Sequence, residues 1–91
     1  MEHRSKLESV FRHLKTGDTY CVAKAFRDYD LEYHAEGEEW LFIGSNFVPY
    51  DDGLSLFASI NGVERQVRLQ WREEEQADII DNLETYFLPH A

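Results

Sequence analysis

From Leu54 to Leu69 apolar and polar positions alternate almost without a break. Leu54, Leu56, Ala58 and Ile60 take one phase and Ser55, Phe57 and Ser59 the other, the pattern of a half-buried strand. Asn61-Gly62 follows, a pair that accepts positive φ at both central positions of a two-residue hairpin turn. That turn sets the register: Ile60 faces Val63, Ala58 faces Arg65, Leu56 faces Val67 and Leu54 faces Leu69. The apolar sets of both strands then fall on one side, as they must when one face is buried. On the other side Ser55 opposes Arg68, Phe57 opposes Gln66 and Ser59 opposes Glu64.

Upstream, Gly37 to Leu56 reads as two strands joined by an acidic turn. Trp40 to Ile43 is an apolar run too short for a helix; Gly44-Ser45-Asn46 makes a bend or bulge, and Phe47-Val48 continues the strand. Pro49 lacks an N–H and marks an edge or an end. Thr19 to Phe26 is rich in strand formers, with Tyr20, Val22 and Phe26 on one phase and Cys21, Ala23 and Ala25 on the other, which places Cys21 in the core under a close-packed neighbour. Arg27 to Glu39 has no clean period and reads as a long loop or irregular hairpin.

Both ends read as helical. Leu7, Val10, Phe11 and Leu14 recur at i, i+3, i+4 and i+7, which predicts a helix over residues 5–15, with Gly17 as its C-terminal cap. Gln76, Ile79, Ile80, Leu83, Tyr86 and Phe87 form a second stripe, which predicts a helix over residues 72–87 that opens on Glu73, Glu74 and Glu75 and ends before Pro89.

Composition narrows the functional classes. The chain has 91 residues, 43% of them hydrophobic and 14% aromatic, enough for one self-contained domain over residues 1–91. Its single cysteine cannot form an internal disulfide, which suits a reducing compartment, so a cytoplasmic location is expected. The net charge is −9, and residues 28–52 hold eight carboxylates with no Lys or Arg. A field of that sign repels phosphate and anionic lipid and attracts basic proteins, so neither nucleic acid nor membrane is an expected partner.

Gly37-Glu38 before an apolar strand, then Asp51-Asp52-Gly53 and Leu54-Ser55-Leu56, resembles the middle of SH3-like small barrels, and Ala25-Phe26-Arg27-Asp28-Tyr29-Asp30 resembles the Ala-Leu-Tyr-Asp-Tyr segment of SH3 domains. An SH3 peptide groove uses paired tryptophans where this chain has Leu54-Ser55, so the resemblance implies the barrel and not the polyproline groove. Over about residues 14–87, Asp28-Tyr29-Asp30, Gly37-Glu38-Glu39-Trp40, Phe47 to Leu54 and Arg68-Leu69-Gln70-Trp71 also resemble a family of short bacterial domains of unknown function, which carries no activity to transfer. The fold class expected is α+β: an SH3-like antiparallel barrel, or a strongly bent sheet of about four or five strands, with an N-terminal and a C-terminal helix.

Candidate chemistry is sparse. Asp28, Asp30, Glu32, His34, Glu36 and Glu39 match positions 1, 3, 5, 7, 9 and 12 of a calcium loop, but Tyr33 stands where the sharp turn needs glycine, so a solvated acidic loop is the plainer reading. His34 among carboxylates would lean toward its protonated form, although an ordinary exposed histidine is the plainer reading. The chain shows no nucleophile elbow, phosphate loop or dinucleotide fingerprint, so no enzyme activity, cofactor or metal is expected. Aromatic residues outnumber what so small a core can bury, and Phe57 between two serines is exposed unless a helix covers it. The expected function is a protein-interaction module presenting Tyr29, Asp30, Tyr33, Glu36, Tyr50, Asp51, Asp52 and Phe57 to a protein partner. The alternative is an acidic inhibitor or immunity-type protein that neutralises a basic partner. A monomer or weak dimer is expected, the latter through a strand edge near Pro49.

Overall fold

The computed structural model describes residues 7–90. Its centre is an antiparallel sheet of five strands in the order β8-β7-β6-β3-β9. These are β3 (Thr19–Val22), β6 (Glu39–Val48), β7 (Gly53–Ile60), β8 (Val63–Gln70) and β9 (Phe87–Pro89). Two short ladders flank it: β1 (Val10–Phe11) with β2 (Leu14–Lys15), and β4 (Phe26–Arg27) with β5 (Tyr33–His34).

The β7–β8 hairpin has the register that Asn61-Gly62 dictates, from Ile60 opposite Val63 to Leu54 opposite Leu69. Both turn residues have positive φ, 50° at Asn61 and 89° at Gly62. Trp40–Ile43 and Phe47–Val48 prove to be one strand with a bulge between Phe42 and Gly44. The extra residue shifts the phase, so that Ser45, opposite Leu56, is buried, while Phe47, opposite Leu54, stays exposed with its ring edge-on to Trp71. Gly44 is needed for space: a Cβ there would lie 2.8 Å from the Leu7 Cβ.

The N-terminal helix expected over residues 5–15 is not present in the described part, which begins at residue 7. In its place Arg12, at φ 57°, reverses the chain between β1 and β2. The reason lies in β6, which is ten residues long, while β3 pairs with only Thr19↔Leu41 to Cys21↔Glu39 of it. The remaining edge needs backbone partners, and a helix has none to offer sideways. The N-terminal segment supplies them: Glu8 and Ser45 exchange N–H···O bonds of 2.8 and 3.0 Å, Gly17 N–H donates to the Phe42 carbonyl, and Phe42 N–H donates to that of Asp18. Leu14 is buried by this docking while Val10 stays exposed.

At the other end the predicted stripe is correct but the helix is shorter. Residues 73–76 form turns, followed by α1 (Ala77–Asp81) and α2 (Leu83–Tyr86), and Phe87 then turns out into β9. Gln76, Ile79, Ile80, Leu83, Tyr86 and Phe87 are all buried. Phe87 joins the sheet because β3 needs a partner on its second edge, with Val22 opposite Phe87 and Cys21 opposite Leu88.

The sheet is open, not the closed SH3-like barrel, and the chain is mostly β with a small helical part. One face carries the core, in which Trp40, Phe42, Leu54, Leu56, Leu69, Ile80, Leu83 and Phe87 are nearly inaccessible. Each such side chain contributes about 1.5–3 kcal/mol by leaving water. The strand expected over Thr19 to Phe26 stops at Val22; Cys21 is half-buried on the outer face, and Phe26 belongs to the separate β4–β5 ladder. Among the described residues no helix is long and apolar enough to cross a membrane.

Candidate functional site

The stretch read as a long loop or irregular hairpin is a short hairpin that forms a braced arm. Between β4 and β5 the chain makes a tight excursion over Asp28–Glu32, and its base is polar and buried. Asp28 Oδ1 accepts the N–H groups of Asp30 and Glu32, each at 2.9 Å, as a short acidic side chain does when it folds the following backbone into a turn. Asp28 Oδ2 lies 2.9 Å from His34 Nε2, and His34 Nδ1 lies 2.7 Å from Glu38 Oε1, which also accepts the Trp40 indole N–H at 2.7 Å. Phe26 stacks on the His34 ring at 4.8 Å, and Trp40 meets it edge-on at 5.8 Å.

His34 is therefore not the exposed histidine of the plainer sequence reading: it is 1% accessible and carries a carboxylate on each ring nitrogen. With both carboxylates ionised, both contacts are hydrogen bonds when each ring nitrogen bears a proton. Aromatic walls exclude water from the ring and keep the pairing tight. The sequence signal was the spacing Asp28, His34, Glu38, hidden by the surrounding acids that point outward.

Those outward acids lie against β8. Arg68 Nη2 reaches Asp30 Oδ1 at 2.7 Å and its Nε reaches Oδ2 at 3.1 Å; Arg65 pairs with Glu32; and Tyr29 N–H donates to the Arg68 carbonyl at 2.8 Å. The hydrogen bond from Arg68 holds the Asp30 carboxyl below its ordinary 3.8, and the Arg68 guanidinium is raised by the same bond. Among the described residues the donors that could hold a metal ion together are Asp28, Glu32 and His34, with one atom each within 4.8 Å of one another. The wider calcium-loop set does not converge, since Asp30 faces Arg68, Glu32 faces Arg65 and Glu39 faces His90.

The arm's tip is apolar. Tyr29, Leu31 and Tyr33 are 41%, 73% and 60% accessible. Leu31 has φ 68°, the left-handed region, and its carbonyl accepts a bond from Arg27 Nη1 at 3.1 Å. The Arg68 and Arg27 guanidinia lie over the Tyr29 and Tyr33 rings at 5.8 and 5.6 Å.

Of the residues singled out in the sequence, Tyr29, Asp30 and Tyr33 come together on this arm, and Glu36 is exposed just beyond it. Asp51 and Tyr29 line one groove on the outer face. Asp52 pairs with Arg72 at 3.3 Å, and Tyr50, 92% accessible, stands apart on the 3-10 turn Pro49–Asp51. Phe57 is half-buried opposite Gln66 and Gly44 on the face away from the core. Leu31 escaped the sequence reading, because one leucine inside an acidic run carries no period.

The family model described as a domain of unknown function (DUF3601) matches residues 4–89. Among solved structures the chain is similar to the integron cassette protein VCH_CASS4 from the mobile metagenome of Vibrio cholerae, with a TM-score of 0.94 and 43% identity over 99% of this chain and 100% of that one. No curated protein matches the chain.

Proposed function

Because the chain belongs to the family of the domain of unknown function DUF3601, its role is read from its own surface, and we propose a non-enzymatic protein-interaction module that seats a partner on the arm from Tyr29 to Tyr33. The observation that carries this reading is Leu31. A left-handed backbone costs an ordinary residue about 1–2 kcal/mol, which glycine avoids, and a leucine side chain at 73% accessibility recovers almost nothing by burial. Local physics argues twice against leucine here, and such conflicts concentrate where a side chain serves something outside the fold.

The arm suits that task. Its base is fixed by His34 between Asp28 and Glu38, so little loop entropy remains to be lost on docking. Tyr29 and Tyr33 flank the leucine with rigid amphipathic rings. The partner surface would be an apolar pocket with a basic rim, complementary to the chain's net charge of −9.

The alternative, an acidic inhibitor of a basic partner, has less support. Of the eight carboxylates in residues 28–52, Asp28, Asp30, Glu32, Glu38, Glu39 and Asp52 already face His34, Arg68, Arg65 or Trp40, His90 and Arg72 within the chain. Three of them are held by arginines, which leaves fewer acidic groups free to meet a basic partner.

Site-specific photocrosslinking in lysate of the source cells separates the readings. A crosslinker at position 31 is expected to trap one partner that persists in high salt and is lost on Tyr33→Ala, while a crosslinker at exposed Val63 traps none. Equal capture at both positions, or capture that vanishes with salt alone, would overturn the arm as the docking site.

A further inference from the structure

A second feature lies across Arg68 from the arm. The outer face of β6, β7 and β8 carries a groove of about 420 Å³, floored by Gly53 and Ser55 and walled by Tyr29, Asp51, Arg68 and Gln70. Gly53 opens the floor. It lies in β7 between Val48 and Gln70 with no positive φ, so its backbone accepts any residue, and a side chain there would normally favour the strand. A Cβ on Gly53 would lie 3.4 Å from Asp51 Oδ2 and 3.4 Å from Gln70 Oε1. The space over this glycine is therefore bounded on two sides by acceptor oxygens.

Among the described residues neither oxygen accepts a hydrogen bond. Gln70 uses its amide N–H to bond the Asp51 carbonyl at 3.2 Å, which fixes the side chain with Oε1 turned to the groove, and Gln70 is only 6% accessible. The Asp51 carboxylate has no ion pair with either nearby arginine: Arg68 is held in a two-point contact by Asp30, and Arg72 reaches the Asp52 carboxylate and only the carbonyl of Asp51. Arg68 acts on Asp51 only at a distance, so among the described residues the Asp51 carboxylate faces the groove with no cation bonded to it. The Tyr29 ring adds an apolar wall.

We propose that this groove binds a primary ammonium group, seated over Gly53 and bonded to Asp51 Oδ2 and Gln70 Oε1, with its alkyl stem along Tyr29. Two converging acceptors, one of them charged, suit a compact donor with three N–H groups. A neutral hydroxyl forgoes the charge. The group would come from a lysine side chain of a protein or from a small free amine. This site does not depend on the Leu31 reading.

The test is a titration of the full chain by heteronuclear NMR with n-butylammonium chloride and, as the neutral isostere, n-butanol. Butylammonium is expected to shift the Gly53 and Ser55 amides and the Gln70 side-chain amide saturably, in the millimolar range, while butanol does not. Gly53→Ala, which removes no polar partner and sets a methyl 3.4 Å from both acceptor oxygens, should abolish the response without lowering the thermal midpoint. Asp51→Asn should weaken it about tenfold. A response as strong to butanol, no saturable shift with butylammonium, or full binding by Gly53→Ala would overturn the site. Tighter binding of a lysine-bearing peptide than of butylammonium would assign a protein lysine; tighter binding of butylammonium would assign a free amine.

Discussion

His34 Nε2 lies 2.9 Å from Asp28 Oδ2, with the two side chains only 1% and 4% accessible, and this contact joins the arm to the core. Removing the ring would leave two carboxylates facing a hole lined by Phe26 and Trp40. His34→Ala is therefore expected to cost about 2–5 kcal/mol, since it opens a cavity and leaves buried hydrogen-bonding groups without their partner. Urea denaturation checks it; a midpoint within error of wild type would show the triad to be dispensable. Asp28→Ala should in addition speed hydrogen exchange at the Asp30 and Glu32 amides, which lose their acceptor.

The exposed counterpart, Asp30 with Arg68, predicts a pH effect of definite sign. The Arg68 hydrogen bond holds the folded carboxyl below its ordinary 3.8, so the folded state binds a proton there less readily than the unfolded chain. The contribution to stability is present above about pH 3.8 and is lost as the pH falls through the lower folded value. In Asp30→Asn the acid limb of the stability curve should be shallower below that pH. The pair is solvent-exposed, so added salt should shrink the difference between the two proteins. An acid limb identical to wild type at low ionic strength would contradict the pairing.

The β7–β8 turn gives the most direct check on how the fold is encoded. Asn61 and Gly62 both hold positive φ, and alanine at both positions is expected to cost on the order of 1–2 kcal/mol. An unchanged denaturation midpoint would mean that the turn does not set the register.

That hairpin was legible in the sequence because pattern and turn are local and agree; so were the end of β6 at Pro49 and the buried stripe from Gln76 to Phe87, while the bulge expected over Gly44-Ser45-Asn46 falls just before it, between Phe42 and Gly44. The N-terminal helix was misread for a physical reason. Its i, i+3, i+4, i+7 spacing is real, but the free edge of β6 beyond Leu41 demands backbone partners, and a need that lies some thirty residues away in the chain leaves no local mark. Likewise nothing at Cys21 announces that Leu88 will pair beside it. In the arm, Asp28, His34 and Glu38 are acids and a histidine among others of the same kinds. Only the fold separates the three that turn inward from Asp30 and Glu32, which meet arginines on β8.

Gly44 tests the docking of the N-terminal segment. A Cβ at this position would come 2.8 Å from Leu7 Cβ and 3.1 Å from the Glu8 carbonyl oxygen, one of them backbone and neither free to swing away. Gly44→Ala is expected to destabilise by about 1–3 kcal/mol and to speed exchange of the Glu8 amide, which donates to Ser45. Protection of the β7–β8 hairpin amides should fall less, since only the N-terminal segment is displaced. Slow Glu8 exchange in the variant would show that the contact relaxes without cost.

Leu31 joins stability to function with opposite signs. Glycine at this position would relieve the left-handed strain at φ 68° while leaving the Asp28 cap and the backbone bond from Arg27 in place. Its greater freedom in the unfolded chain offsets part of that relief, so Leu31→Gly is expected to raise stability by about 0.5–1 kcal/mol. The same change deletes the apolar tip between Tyr29 and Tyr33, and a partner seated there should be lost. Thermal unfolding and capture of the crosslink-identified partner, measured on one preparation, check both halves. A variant that gains stability and keeps the partner would leave Leu31 without a role in docking, whereas one that loses stability would show that the leucine is held by the fold itself.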